Sequence, residues 1–176
     1  MNDVSRTRNR LMLSAAMIAL LASGLASAGD AIVRTPIGDP HFPIAAAVSV
    51  PAGYDTVYIS GALPDVADPN APKGSVEAYG DTQTQTLSVL KKLGDALKAQ
   101  GLGYGDVVAA HVFLAGDPRK NGDIDFAGMN AAFSQFFGSR EQPNKPARAA
   151  VKVAGLVLPG TLVEIEFIAA RAPKRK

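Results

Sequence analysis

The end of the chain carries an alternating pattern that is typical of a β-strand with two unlike faces. The apolar side holds Val163, Ile165, Phe167 and Ala169, and the opposite side holds Leu162, Glu164, Glu166 and Ile168. Carboxylates are seldom buried in a sheet unless something pairs with them. The pattern therefore predicts a strand with one apolar face in the core. The acids on its second face are expected to take part in a functional site or in a contact with a partner group.

Arg148 lies where a proline-bearing loop, Lys145-Pro146-Ala147, runs into another strand-like segment, residues 149–153. A guanidinium binds a carboxylate through two parallel hydrogen bonds, and a nearby glutamate is a candidate acid or base. We therefore interpret Arg148 as an anion clamp beside Glu164. A structural ion pair between these two residues across adjacent strands is the alternative, and the residues alone favour neither.

The N-terminus has the three parts of a secretory signal peptide. Arg6, Arg8 and Arg10 precede the apolar residues 11–21, and small residues follow up to an Ala-x-Ala pattern that ends at Ala28. The apolar run is shorter than the ~20 residues of a membrane-spanning helix, which disfavours the alternative of a permanent anchor. The sequence predicts cleavage after Ala28 and a periplasmic or secreted protein that has no membrane contact after cleavage.

This cleavage divides the chain into a signal peptide, residues 1–28, and a single domain, residues 29–176, whose core spans residues 45–170. Of 18 basic and 16 acidic residues, the signal peptide contains three arginines and one aspartate, so 15 of each sign remain. A neutral domain has no broad attraction for phosphate backbones. The charge therefore argues against a nucleic-acid partner.

The chain contains no cysteine and only two histidines, His41 and His111. A thiol nucleophile and a cysteine-based zinc site are therefore excluded, and no metal site is predicted. His111 lies within an apolar strand and is interpreted as a packing residue. His41 lies in a loop and is the better functional candidate of the two.

Periodicity predicts the element order strand, strand, helix, strand, helix, strand, strand. Residues 32–34 form an edge strand or an extended arm, and residues 45–50 and 56–60 form a hairpin across a Pro/Gly turn. A long loop spans residues 61–80. The later strands are predicted at residues 107–114, 149–153 and 162–170. The first of these three is apolar on both faces except for His111, so it is expected to be covered on both sides.

Two helices are predicted from apolar residues at three- and four-residue steps. The first begins at Asp81 or Thr82, ends before Gly101 and buries Leu87, Leu90, Leu93 and Leu97. The second has an aromatic side made by Phe126, Met129, Phe133, Phe136 and Phe137. The result is an α+β fold with both helices on one face of a mixed sheet, and the bare apolar face opposite them predicts an oligomer.

Several blocks of the chain together resemble the RidA/YjgF/YER057c/UK114 family. They are Tyr58-Ile59-Ser60-Gly61, Gln83-Thr84-Gln85-Thr86-Leu87, Gly105-Asp106-Val107-Val108, Val112-Phe113-Leu114, residues 129–137, Pro146-Ala147-Arg148 and residues 163–169. The blocks keep the family's order and cover nearly all of residues 45–170. The resemblance implies a chorismate-mutase-like α+β subunit that assembles into a homotrimeric barrel with clefts between neighbouring subunits.

The same resemblance implies hydrolytic deamination of reactive 2-imino and 2-enamino acids to 2-keto acids and ammonia, without a cofactor. The protein would then be a hydrolase like 2-iminobutanoate/2-iminopropanoate deaminase. Arg148 matches the family's substrate-binding arginine, and Glu164 matches the glutamate that orients or deprotonates the attacking water. Asn130 and Ser60 are expected to line the cleft, and backbone groups near Ala150 are expected to help hold the water.

Two departures from the family pattern leave the substrate preference open. The segment Asp39-Pro40-His41-Phe42-Pro43 replaces a Gly-Pro-Tyr loop, so Phe42 or His41 takes the place of the tyrosine that covers the ligand. Ala149-Ala150 replaces a small polar pair. The alternative function is a non-catalytic trimeric module in the periplasm that binds small carboxylates or acts as a chaperone. A ribonuclease activity, also attached to the family, is disfavoured by the neutral charge and the lack of a histidine pair.

Overall fold

The computed structural model describes residues 31–39 and 41–174, so the predicted signal peptide and its cleavage site lie outside the described residues. Within the described chain the elements are β1 (Val33–Pro36), β2 (Ala45–Ser49), β3 (Asp55–Ala62), α1 (Val76–Tyr79), α2 (Thr82–Ala99), β4 (Val107–Ala115), α3 (Phe126–Phe133), β5 (Ala147–Val153) and β6 (Val163–Arg171). Short 3-10 turns lie on either side of β4, at Tyr104–Asp106 and Pro118–Lys120.

The central sheet has the strand order β3-β6-β4-β5. β6 runs antiparallel to both of its neighbours, and β4 runs parallel to β5. Parallel neighbours need a crossover connection, which contains α3. The two central strands are therefore β6 and β4, and the strand with the alternating pattern has a partner on each side.

One face of the central sheet packs against α2 and α3. The core on this face includes Ala110, Val112, Leu114, Val163, Ile165, Phe167 and Ala169 from the sheet, and Val89, Leu90, Leu93, Leu97, Met129 and Phe133 from the helices. Phe137 stacks on Phe133 with ring centroids 4.5 Å apart and meets Phe167 edge-on at 5.6 Å. The predicted α+β class, with both helices on one face of a mixed sheet, is confirmed.

The boundaries of α2 follow the prediction closely. Asp81 caps the helix by accepting a hydrogen bond from the Thr84 N–H at 2.8 Å, and Gly101 adopts a φ of 69° just beyond its end. Three side chains placed in the core by periodicity are not fully buried, and one of them, Phe136, is half-buried beyond the end of α3. Leu87 is half-buried because the buried side of α2 is centred on Val89, and Phe126 is exposed because it lies in the first turn of α3.

Gln85 is fully buried and uses its whole side-chain amide. Its Nε2 donates to the carbonyls of Gly80 and Gly160, and its Oε1 accepts from the N–H of Leu162. The start of α2 is thereby tied to the entrance of β6. Leu162 was assigned to the acid-bearing side of the last strand, and this is wrong because it precedes β6 and packs in the core.

The predicted hairpin between residues 45–50 and 56–60 is also wrong. β2 pairs antiparallel with β1 in a separate two-stranded sheet, whereas β3 pairs with β6. The turn between β2 and β3 therefore connects two sheets, because β6 provides the apolar strand that β3 pairs with. The long loop predicted at residues 61–80 contains α1, which Ser75 caps through its side-chain oxygen.

Arg34 fastens β1 to the rest of the domain. Its Nη1 donates to the carbonyls of Val107 and Lys145 at 2.9 and 2.7 Å, and its Nη2 donates to that of Gly105 at 2.9 Å. Burial lowers the pKa of Arg34, but three carbonyl acceptors compensate its lost hydration. The predicted edge strand is therefore present, and it is held by its pairing with β2 and by the Arg34 side chain.

The described residues leave the other face of the central sheet uncovered, and we call it the open face. Ala109, His111 and Phe113 of β4 are half-buried there, so the prediction that β4 is covered on both sides fails for one chain. Tyr58 of β3 and Val151 of β5 are 77% and 47% exposed on the same face. The bare apolar face that the sequence predicts is therefore present. In residues 31–39 and 41–174 no helix has the length and apolar character needed to cross a membrane.

Candidate functional site

Arg148 extends from β5 toward α3, on the face that the helices cover. Its Nη2 donates to Oδ1 of Asn130 at 2.7 Å, and its Nη1 lies 3.7 Å from Sδ of Met129. Its Cζ lies 4.6 Å from the ring centroid of Phe133 and 5.8 Å from that of Phe126. Both distances are within the range of cation–π attraction. We call these five residues the arginine group.

No carboxylate in the described part of the chain forms an ion pair with Arg148. Burial lowers the pKa of Arg148 to about 10, so the guanidinium remains charged at neutral pH. The hydrogen-bond acceptor that it does have, Asn130, is neutral. Keeping a half-buried cation without a counter-ion is costly, so this charge is available to an anionic ligand.

Glu164 lies on the open face of the sheet. The register pairs Glu164 of β6 with Phe113 of β4, and directly paired residues of antiparallel strands point to the same side. Its carboxylate lies close to the backbone of Gly61 in β3. If Gly61 had a Cβ atom, that atom would be 2.5 Å from Oε1 of Glu164. Ser60 precedes Gly61 at the same register shift of β3. We call Glu164, Gly61 and Ser60 the glutamate group.

The second acid of β6 has a partner that Glu164 lacks. Oε1 of Glu166 lies 2.7 Å from Nδ1 of His111, and the two side chains are 42% and 43% exposed. Among the described residues, no hydrogen bond or ion pair engages the Glu164 carboxylate. Of the two acids that alternation places on one side of the strand, Glu164 alone is therefore free to interact with a ligand or with water.

The structure places the two groups on opposite faces of one sheet. β4 lies between β5 and β6, and Arg148 pairs with Ala110 on the helix-covered face, whereas Glu164 pairs with Phe113 on the open face. A structural ion pair between Arg148 and Glu164 across adjacent strands, the alternative considered from the sequence, is therefore wrong.

The other predicted site residues divide between these regions. Ala150 lies on the same face as Arg148, two positions along β5, and is half-buried against the core. Ser60 is exposed in the glutamate group. Phe42 is half-buried and His41 is exposed, and within the described residues no ring contact or side-chain hydrogen bond joins either of them to the arginine or glutamate group.

A cleft of about 330 Å³ lies where the segment around β2 meets β4 and β5. Apart from Arg148 and His111, its walls are made of small or apolar residues: Ile37, Ile44, Ala45, Ala46, Ala109, Ala110, Ala147 and Ala149. Ala109 and His111 belong to the open face, whereas the guanidinium of Arg148 extends toward α3 on the other face, so this cleft does not surround the guanidinium. No cluster of acidic and histidine side chains able to hold a metal ion occurs in the chain as described.

Two residues of the site were not recognised from the sequence. Phe126 was assigned to the core, although its place right after the N-cap Asp125 puts it in the first turn of α3, where helices are often exposed. Gly61 was noted only as part of a family block. A glycine within an otherwise β-branched strand often marks a bulge or a close approach, and that signal was available.

The family model described as "Endoribonuclease L-PSP" matches residues 38–171. This chain belongs to that family, which is also known as the RidA/YjgF family.

Curated relatives carry an enzyme name. The chain is 37% identical over 119 residues to human "2-iminobutanoate/2-iminopropanoate deaminase", covering 67% of this chain and 74% of the relative. The goat protein of the same name is 39% identical over 123 residues, with the same coverage. The sequence is similar to these proteins, and the deaminase activity in their name is a property of the relatives.

Solved structures share the fold. A Rid-family protein of unknown function from Yersinia pestis aligns with a TM-score of 0.58 at 24% identity, over 79% of this chain and 96% of that one. TdcF from E. coli, crystallised with bound serine, aligns with a TM-score of 0.50 at 30% identity, over 77% and 97%. The first comparison establishes the fold alone.

Proposed function

We propose that this protein hydrolyses reactive 2-imino and 2-enamino acids to 2-keto acids and ammonia. The proposal is supported by relatives, at 37 to 39% identity, that are named 2-iminobutanoate/2-iminopropanoate deaminase. A relative at 30% identity has been crystallised with serine, which carries the same α-carboxylate as the proposed substrates. The reaction needs a carboxylate anchor and a water-activating acid or base, and the chain has a candidate for each.

The observation that carries the proposal is the state of Arg148. Its guanidinium is half-buried, charged and bound to the neutral oxygen of Asn130, without an ion-pair partner among the described residues. A 2-imino acid supplies the missing anion, since its carboxylate can accept two parallel hydrogen bonds from a guanidinium. The aromatic and thioether neighbours of Arg148 make its surroundings less polar than water, which strengthens that interaction.

Glu164 is proposed as the general acid and base that transfers protons during hydrolysis. As the oxygen of water adds to the C=N carbon, Glu164 takes one proton of the water and passes it to the nitrogen, which gives a carbinolamine. Glu164 then carries the hydroxyl proton to the nitrogen while the C–N bond breaks. Ammonia leaves, and the carbonyl of a 2-keto acid remains, so that the overall change is the addition of one water and no cofactor takes part.

A homotrimer is part of the proposal, because one chain keeps Arg148 and Glu164 on opposite faces of its sheet. In a ring of three chains, the arginine group of one chain can meet the glutamate group of the next. The open face, with Tyr58 77% exposed, is the surface that such an assembly would cover. We further propose that the chain is exported, with cleavage after Ala28, and acts in the periplasm or outside the cell.

The test generates an imine in solution with an amino-acid oxidase and traps what remains with semicarbazide. The wild-type protein should consume the imine faster than solvent does, and Arg148→Ala should lose at least about 100-fold in kcat/KM, because two charge-assisted hydrogen bonds are removed. Arg140→Ala is the matched control, since Arg140 is exposed and outside both groups.

Imine loss no faster with the wild type than with Arg148→Ala would contradict the proposal. If the wild-type protein then still bound 2-keto acids saturably, or held unfolded proteins in solution, the non-catalytic carboxylate-binding or chaperone function would replace it.

A further inference from the structure

β3 contains a bulge opposite the acid-bearing part of β6. Ile59 pairs with Phe167, and the next registered pair is Ala62 with Ile165, so two residues of β3 stand opposite the single residue Glu166. Those two residues are Ser60 and Gly61. Bulges of this kind redirect side chains and are frequent next to active sites.

Beside the Glu164 carboxylate, position 61 has room only for a glycine, because a side chain there would meet Glu164. A Cβ at this position would lie 2.5 Å from Oε1 of Glu164, 3.3 Å from Cδ and 3.4 Å from Cγ. The φ of Gly61 is not positive, so the backbone conformation itself does not require glycine. The volume that a side chain would fill is therefore the volume that the Glu164 carboxylate occupies.

Little else in the described chain fixes that carboxylate. Glu164 makes no hydrogen bond or ion pair there, and its cross-strand neighbour is the apolar Phe113. The bare backbone of Gly61 is thus one surface that limits where the Glu164 carboxylate can lie. By contrast, the other acid of the strand, Glu166, is held by His111 at 2.7 Å.

We propose that Gly61 is a positioning residue for Glu164: by lacking a side chain, it lets the carboxylate lie along the edge of β3, where it can reach a water at the imine carbon. This inference rests on the function proposed above. It predicts that a single methyl group at position 61 acts on the chemical step and leaves carboxylate binding by Arg148 intact.

The variant Gly61→Ala tests the inference directly. The clash is with the far end of a flexible side chain, so the carboxylate should move while the fold remains, and the melting temperature should change little. A displaced general base is expected to lower kcat by about 10- to 100-fold. The dissociation constant for 2-keto acids should stay within about twofold of the wild-type value, because Arg148 is on the other face of the sheet.

The matched control is Gly155→Ala. Gly155 also lacks a positive φ, and a Cβ there would meet nothing within 4 Å, so this substitution adds the same methyl group without a neighbour to displace. Its kcat should equal that of the wild type. A Gly61→Ala protein with wild-type kcat and KM would overturn the inference.

A double-mutant cycle separates positioning from a general structural effect. In the Glu164→Gln background the base is already absent, so adding Gly61→Ala should cause no further loss of kcat. Losses that multiply in the double variant would show that Gly61 acts through something other than Glu164 and would overturn the inference.

A spectroscopic measurement keeps the inference testable even if the proposed function fails. If the wild-type protein does not hydrolyse imines, the carbon-13 resonance of the Glu164 side-chain carboxyl still reports its surroundings. We expect the chemical shift of this resonance to change in Gly61→Ala and not in Gly155→Ala. An unchanged resonance would refute the positioning role, whatever the activity of the protein.

Discussion

The arginine group and the glutamate group are built in opposite ways. Arg148 is held on several sides, by the amide of Asn130 and the rings of Phe126 and Phe133. Glu164 has no bonded partner in the described chain and lies against bare backbone on an uncovered face. The contrast teaches that a single chain surrounds the proposed anion-binding residue with partners, whereas the acid proposed for the proton transfers lies on the face where we propose that a second chain packs.

The two groups also differ in how their charges are balanced. Arg148 keeps an unneutralised positive charge in a half-buried, largely apolar setting. On the open face, Glu166 has a partner in His111 at 2.7 Å, which leaves Glu164 as the acid without a partner in the described chain. A substrate with a carboxylate at one end and a basic nitrogen at the other would complement both groups.

The largest expected effect in the glutamate group is on turnover. Glu164→Gln keeps the size of the side chain but removes the base, so kcat should fall about 100-fold while the dissociation constant of 2-keto acids stays within about twofold. Glu166→Gln is the control, because it removes an acid from the same strand face without touching Glu164. Equal losses in the two variants would contradict the distinction between the paired and the unpaired acid.

A second prediction tests whether the two groups meet between chains. Arg148→Ala and Glu164→Gln chains, co-expressed in equal amounts, should form mixed trimers in which some interfaces combine an intact Arg148 with an intact Glu164 from the next chain. Random mixing of three chains leaves about one quarter of the sites intact, so about one quarter of wild-type activity should return. Activity no higher than that of either parent variant would mean that the two residues do not act across an interface.

The smallest effect concerns the neutral partner of Arg148. Asn130→Asp places a carboxylate where the guanidinium now meets an amide oxygen at 2.7 Å, so an internal ion pair should compete with the ligand. The affinity for 2-keto acids, measured by calorimetry, should fall about tenfold. Asn130→Ala removes the amide without adding charge, so it should weaken binding less than Asn130→Asp does. A larger loss of affinity in Asn130→Ala would mean that Asn130 itself binds the ligand.

The fold could be predicted from the sequence where the signal is local. The alternation of β6 and the cap of α2 at Asp81 depend on neighbouring residues, and both are observed. The predicted hairpin of β2 and β3 is wrong because strand pairing depends on partners that are distant in the sequence. β1 pairs with β2 from one side, β6 pairs with β3 from the other, and no turn signal contains that information.

The sequence named candidate residues for the site but not their geometry. The Pro-Ala-Arg context and the glutamate in an apolar strand pointed to Arg148 and Glu164, whose roles stay predictions. The face on which each side chain lies depends on the register of β5 and β6 against β4, and a shift by one residue would exchange the faces. The contact of Phe126 with Arg148 was not predicted because periodicity describes which side of a helix a residue is on, but not that the first turn of α3 is exposed.

Arg34, the side chain that fastens β1, sets a practical limit on trimming the N-terminus. Its guanidinium donates hydrogen bonds to the carbonyls of Gly105, Val107 and Lys145, which lie at or just before the starts of β4 and β5. A shortened recombinant protein that starts beyond residue 34 would remove three donated hydrogen bonds at once, on the path to the strand that presents Arg148. The first residue of any engineered version should therefore precede β1.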